Sequence, residues 1–277
     1  MYMLSSELRD IDYERISRLV YEQCGINLHE GKRELIKARL GKRLREANFK
    51  SFGDYYSYVT TDEGTDELIS MIDSLSTNLT YFFREESHFQ KLRQIIPVML
   101  NASGHTGQSE KLRIWSAGCS TGEEPYSLAM TVCECANDSS GEVKIIATDI
   151  STRVLRAAVK GVFSQDKLKN VSPVMLKKYF QMGCGRWEGY YRIKKNICDM
   201  IQFSRFNLMN TPPSGYHFDV IFCRNVMIYF DKATQAALVN RFYQCLNRGG
   251  YIFIGHSESL TGLSHEFKYV EPSVYRK

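Results

Sequence analysis

Ser116-Ala117-Gly118-Cys119-Ser120-Thr121-Gly122-Glu123-Glu124-Pro125 is the stretch that decides the fold. The apolar run Leu112 to Ala117 leads straight into it, and a helix-like segment, Glu124 to Ala136, follows. A strand that turns through glycines into a helix is the opening unit of a Rossmann-like sheet, where Gly118 and Gly122 permit a tight turn and close backbone approach to a ligand. Working outward, the strand-like runs Val143 to Thr148, Phe218 to Cys223 and Tyr251 to Gly255 alternate with helix-like Ser151 to Lys160 and Asp231 to Asn247. This alternation predicts an α/β domain, a parallel sheet with helices on both faces, whose ligand sits beyond the carboxyl ends of the strands.

The charge at the turn narrows the ligand. A dinucleotide would place pyrophosphate on the helix N-terminus, but Glu123 and Glu124 occupy that end and repel an anion. S-adenosylmethionine (SAM) has no phosphate, carries a sulfonium, and offers ribose hydroxyls and an amino-acid head. The alternative is that both glutamates only cap the helix. Asp149, at the tip of the second strand, is placed to accept two hydrogen bonds from a ribose cis-diol. It also stands where an N-cap belongs, a role Ser151 is able to fill.

Upstream, apolar residues recur at helical spacing from Ile11 to about Leu75: Ile16, Leu19, Val20 and Cys24, then Leu35, Ile36, Leu40 and Leu44, then Phe52, Tyr55, Tyr56 and Val59, then Leu68, Ile69, Ile72 and Leu75. Four short helices are predicted, with Gly25, Gly53 and Gly64 between them. The predicted organisation is a helical domain over 1–76, a junction and linker over 77–110 with a polar stretch from Asn101 to Glu110, and a ligand-binding domain over 111–277. The second helix carries Lys32, Arg33, Lys37, Arg39, Lys42, Arg43 and Arg45. Such a face is either a solvated surface or a docking surface for an acidic macromolecule, nucleic acid or protein.

Composition sets bounds on the rest. At 277 residues, 43% apolar and 24% charged, the chain is globular and long enough for two cores. No apolar run approaches the roughly 18 residues of a membrane span, and no signal-peptide pattern opens the chain, so a cytoplasmic protein is expected. The eight cysteines include no CxxC pair and no histidine cluster accompanies them, which predicts free thiols and no metal.

Several segments together resemble one family. They are Ser76-Thr77-Asn78-Leu79-Thr80-Tyr81-Phe82-Phe83-Arg84-Glu85, the turn itself with Tyr126, Ala147-Thr148-Asp149-Ile150, Phe218 to Phe230, and Gly255-His256-Ser257-Glu258-Ser259. In order and spacing they resemble the CheR family, the chemotaxis receptor glutamate methyltransferases, over nearly the whole chain. The resemblance implies a SAM-dependent enzyme that converts glutamates on chemoreceptor cytoplasmic helices into methyl esters, leaving S-adenosylhomocysteine (SAH). It implies cofactor contacts at Asn78, Thr80, Arg84, Glu124 and Asp149, completed by Asn207, Leu208, Arg224 and Asn225. Gly118 joins them as the glycine of the turn. It also favours the docking reading of the basic helix, with Arg39, Lys42 and Arg43 facing the receptor.

A glutamate with a solution pKa of about 4.3 is already ionised at neutral pH, so it attacks a methyl carbon without a general base. Orientation is the main demand. Arg84 is expected to steer the carboxylate and Tyr229 to hydrogen-bond it or the transferring group, although Tyr229 also suits a packing role. His256 is read as structural. Between 183 and 205, three glycines, Trp187 and alternating apolar residues predict a small antiparallel β-subdomain. In the CheR family the corresponding element can bind a receptor's C-terminal tail peptide as an added strand, and Gly183 and Gly185 look like the peptide-binding form. A monomer suffices for this chemistry. The competing readings are a non-catalytic SAM-binding scaffold and a methyltransferase of another substrate class; no Asn-Pro-Pro-Tyr motif supports nucleic acid.

Overall fold

The computed structural model describes residues 7–76, 78–102, 112–136, 143–213 and 215–277. Four helices open it: α1 (Asp10–Cys24), α2 (Arg33–Glu46), α3 (Phe52–Val59) and α4 (Thr65–Leu75). They share a core built on Ile16, Val20, Leu40, Tyr55 and Met71. Helix α2 contributes Ile36, Leu40 and Leu44, one residue per turn on a single stripe, which leaves its other faces polar. Gly25 ends α1 and Gly64 precedes α4, but Gly53 lies inside α3. The boundary there is set by Ser51, whose hydroxyl accepts the Asp54 amide at 3.1 Å.

Much of the junction is helical. From Glu86 it forms α5 (Glu86–Ala102), with Phe89, Leu92 and Ile96 buried in the core of the sheet domain. Pro97 inside this helix interrupts the expected helical signal, since proline lacks the amide donor. The part of the predicted polar stretch at 103–110 lies outside the described residues.

The remaining elements are β1 (Leu112–Ala117), α6 (Glu123–Cys135), β2 (Val143–Asp149), α7 (Thr152–Lys160), β3 (Val162–Ser164), α8 (Pro173–Tyr179), β4 (Phe180–Met182), β5 (Tyr190–Ile193), α9 (Lys195–Cys198), β6 (Ile201–Arg205), β7 (Phe218–Cys223), α10 (Lys232–Cys245), β8 (Leu246–Ile254), β9 (Lys268–Glu271) and β10 (Val274–Arg276). The main sheet has the order β6-β2-β1-β7-β8-β10-β9. Strands β6, β2, β1, β7 and β8 run parallel, and β10 inserts antiparallel between β8 and β9. Period-two alternation sends Ile114, Val220, Phe222 and Phe253 to the face covered by α5 and α6. Trp115, Ile221 and Ile252 go to the opposite face, where Leu238 and Phe242 of α10 cover them. Chain order reverses at β1, which pairs with β2 on one side and β7 on the other, so the ligand crevice opens at their carboxyl ends.

The small subdomain differs from its predicted bounds of 183–205. Its three strands are ordered β3-β5-β4, so it starts at Val162, well before Gly183. Ile201–Arg205 instead joins the main sheet as β6, with Ile145 paired to Ile201 and Asp149 to Arg205. Edge strand β6 alternates buried and exposed residues as a free-standing hairpin would, and the sequence pattern alone does not separate the two.

Candidate active site

The turn after β1 is shaped by two glycines with positive φ. Gly118 has φ +91°, and a Cβ there would meet Val226 Cγ2 at 2.5 Å; Gly122 has φ +98° and heads α6. The conformation aims the Ser120 amide at Asp149 Oδ2, 2.8 Å away, while the Ser151 amide reaches Oδ1 at 2.9 Å. Helix α7 takes its cap from the Ser151 hydroxyl, which accepts the Val154 amide. Both Asp149 oxygens are therefore fixed by backbone donors, each retaining acceptor capacity. Burial pushes the Asp149 pKa up, and the two amides counter it.

Glu124 does not cap α6. Its Oε1 accepts the Ser116 hydroxyl at 2.7 Å and its Oε2 pairs with Arg224 Nη1 at 3.0 Å. Arg224, almost wholly buried, also grips Glu85 Oε2 with Nη2 at 3.0 Å and donates to the Arg84 carbonyl. Its guanidinium lies against the rings of Phe89 and Phe222. Burial raises the Glu124 pKa despite Arg224. At the less buried Glu85, burial works the same way but Arg224 outweighs it and holds the carboxyl below its usual value. One cation flanked by two carboxylates leaves a surplus of negative charge next to Asp149. Around Glu124 and Asp149 that balance suits a cationic group, while Arg84 and Lys32 bring positive charge to the same cleft.

All ten residues expected at the cofactor, Asn78, Thr80, Arg84, Gly118, Glu124, Asp149, Asn207, Leu208, Arg224 and Asn225, line a single cleft, and Tyr229 lines it with them. The cleft encloses about 1250 Å³ of empty space, part of it open to solvent. Ile150, Phe206 and Leu208 supply an apolar wall. Asn207 is already committed, donating Nδ2 to the Gln23 carbonyl at 2.6 Å and accepting the Met209 amide. Asn78 hydrogen-bonds Ser76 with its side chain, and its carbonyl accepts the Ser120 hydroxyl. Arg84 donates Nη1 to the Leu79 carbonyl at 2.8 Å, its guanidinium 5.8 Å from the Tyr81 ring centre.

The helical domain closes one side of this cleft. Cys24, Ile26, Leu28, Lys32 and Leu35 line it, and the Asn27 amide donates to the Tyr229 carbonyl at 2.8 Å. Lys32, assigned by sequence to the basic face, instead lies over the Tyr229 ring with its ammonium 5.3 Å from the ring centre. Burial lowers the Lys32 pKa.

The basic face is smaller than its charge run suggested. Arg39 donates to the Leu75 and Ser76 carbonyls, capping α4. Arg43 makes a two-pronged pair with Glu67, which also accepts the Tyr55 hydroxyl at 2.8 Å. Lys42 and Arg45 face outward. Gly183 packs where a Cβ would meet the Trp187 carbonyl, and Gly185, with φ +58°, opens a short turn toward solvent.

Glu85, His88 and His256 converge, their ligand atoms within 4.8 Å of one another. Glu85 already pairs with Arg224 there. Burial, helped by Arg224 and His256 against Glu85, pushes the His88 pKa down to about 3, so its ring is neutral. Sequence reasoning missed Glu85, Lys32 and Glu258. Glu85 and Glu258 stand inside family-like motifs, but their partners are 139 and 33 residues away.

A cleft at the switch point of such a sheet, with an acidic residue ending β2 and no phosphate-binding helix terminus, defines a Rossmann-like methyltransferase domain. The chain belongs to the CheR methyltransferase family. The family's SAM binding domain matches residues 78–276 and its all-alpha domain residues 11–76. A chemotaxis protein methyltransferase of Escherichia coli K12 is 40% identical over 97% of this chain and 91% of that one. That of Borreliella burgdorferi is 38% identical over 100% and 97%, and chemotaxis protein methyltransferase 2 of Pseudomonas aeruginosa is 38% identical over 95% and 92%. The chain is a SAM-dependent methyltransferase that works in chemotaxis. No helix among the described residues is long and apolar enough to cross a membrane.

Proposed function

We propose that this protein methylates glutamate side chains on the cytoplasmic helices of chemoreceptors, giving γ-glutamyl methyl esters and SAH. The observation that carries the reading is the pairing of Arg224 with both Glu85 and Glu124, which sets Glu124 beside Asp149 in a cleft closed on one side by a separate helical domain. Asp149 takes the ribose diol, Ile150, Phe206 and Leu208 the base, and Asn78, Thr80 and Glu124 the amino-acid end. Gly118 lets the backbone approach, and Arg224 with Asn225 holds the acids in place. SAM, when bound, supplies an electrophilic methyl whose loss returns the carbon–sulfur electron pair to sulfur.

The protein's own part is orientation. No histidine is among the residues lining the cleft, and an ionised glutamate needs no base. Arg84 at the mouth steers the incoming carboxylate, and Tyr229, beside Lys32, aligns it with the methyl carbon. Holding the reacting atoms in line is worth about 7–11 kcal/mol of barrier in well-oriented systems. Lys42 and Arg45 meet the acidic receptor helix, whereas Arg39 and Arg43 shape the domain that presents them.

A receptor tail peptide adds to the small sheet along β4, an edge strand whose Met182 is exposed beside Trp187. The protein acts in the cytoplasm as a monomer, with residues from both of its own domains lining the cleft. Incubation with methyl-labelled SAM and a chemoreceptor cytoplasmic fragment tests the activity. Base-labile label on the receptor supports it; stable label, or label on another acceptor, refutes it. A receptor fragment lacking its tail that binds as tightly as the intact one refutes the tail contact.

A further inference from the structure

The motif Gly255 to Ser259 resembles the family's pattern, yet nothing in the proposed chemistry uses Glu258, which does not line the cleft. Its carboxylate accepts three backbone amides from two loops. Oε2 takes Gly255 at 2.6 Å and Asn225 at 2.9 Å, and Oε1 takes Ile228 at 3.2 Å. The Asn225 and Ile228 amides belong to the loop after β7, which carries both Asn225 and Tyr229. That loop starts with Asn225 at φ +58°, in the left-handed region that asparagine enters more readily than most side-chain-bearing residues. Gly255 packs so closely on it that a Cβ would meet Asn225 Nδ2 at 2.5 Å and its amide at 2.9 Å. Without an acceptor, two amides of the loop would lose a charge-assisted bond each.

We propose that Glu258 is a positioning residue for methyl transfer: it holds the Asn225–Tyr229 loop in the conformation that places the Tyr229 hydroxyl at the cleft. The proposal rests on the reading of Tyr229 as a catalytic group. Asn27 fixes the Tyr229 carbonyl from the helical domain, and Glu258 fixes the Asn225 and Ile228 amides of the same loop. A carboxylate is required, because an amide of equal shape presents an N–H group to one of the donors it must accept.

The test is a double-mutant cycle on the full chain with labelled SAM and a chemoreceptor fragment. Glu258→Gln should lower kcat about 10- to 100-fold, as small misplacements of reacting groups do, with receptor KM little changed and the variant still folded at the assay temperature. Glu258→Asp keeps the charge but falls one carbon short, and should lose turnover similarly. In a Tyr229→Phe background most of the Glu258→Gln loss should vanish, because the hydroxyl it positions is gone. Full activity of both Glu258 variants alongside an impaired Tyr229→Phe overturns the proposal and leaves the Tyr229 reading intact. Losses that simply multiply in the double variant also overturn it, since they mean that Glu258 acts through another group. A fully active Tyr229→Phe defeats the reading beneath it.

Discussion

His88 gives the protein a pH dependence that can be worked out in advance. The ring packs edge-on against Phe253 and His256, 3.5 Å from Glu85, and its pKa lies near 3. An unfolded histidine titrates near 6.5. Above that pH both states are neutral and His88 contributes no pH dependence. As pH falls below about 6.5, the unfolded chain takes up a proton that the native site refuses, so stability is lost progressively until pH approaches about 3. Each unit in that window costs about 1.4 kcal/mol, and between pH 7 and pH 5 the loss comes to about 2 kcal/mol. Glu124, Asp149 and Glu258 have raised pKa values and act oppositely, regaining stability as they protonate. His88→Leu isolates the effect. Urea denaturation at pH 7 and pH 5 should show the variant gaining about 2 kcal/mol on the parent at the lower pH. Parallel losses in the two proteins would refute a neutral, buried His88.

Three further outcomes are expected. Glu124→Gln removes charge from the Arg224 cluster and should weaken SAH binding about tenfold, or roughly 1.4 kcal/mol by calorimetry, without unfolding the protein. Arg84→Ala should reduce kcat about 100-fold while SAH affinity moves less than about threefold; equal losses in the two would make Arg84 a cofactor contact. Lys42→Glu with Arg45→Glu should raise receptor KM about tenfold at unchanged SAH affinity. Arg43→Glu should instead cost about 1–3 kcal/mol of stability in a melt, through Glu67 and Tyr55.

The sheet and the four helices were legible because they rest on local periodicity, and the residues that line the cleft because they stand in motifs. What was illegible depends on distant partners. Arg39 and Arg43 read as surface charge until α4 brings up the Leu75 carbonyl and Glu67. Lys32 belongs to the same charge run, yet the chain after Gly25 folds it against Tyr229. Helix α5 was hidden by Pro97 even though Phe89, Leu92 and Ile96 carry the spacing of a buried face. Strand β3 has three residues, too few for any period to show. The C-terminal β9–β10 pair escaped for the same reason.

Calorimetric titration with SAM and SAH meets the central claim head-on. Folded protein should bind one molecule of either per chain, and Asp149→Ala should weaken both by about 10- to 100-fold, the loss of a two-pronged carboxylate grip on ribose. Folded protein that releases no heat with either ligand, or an Asp149→Ala variant that binds like the parent, would contradict it.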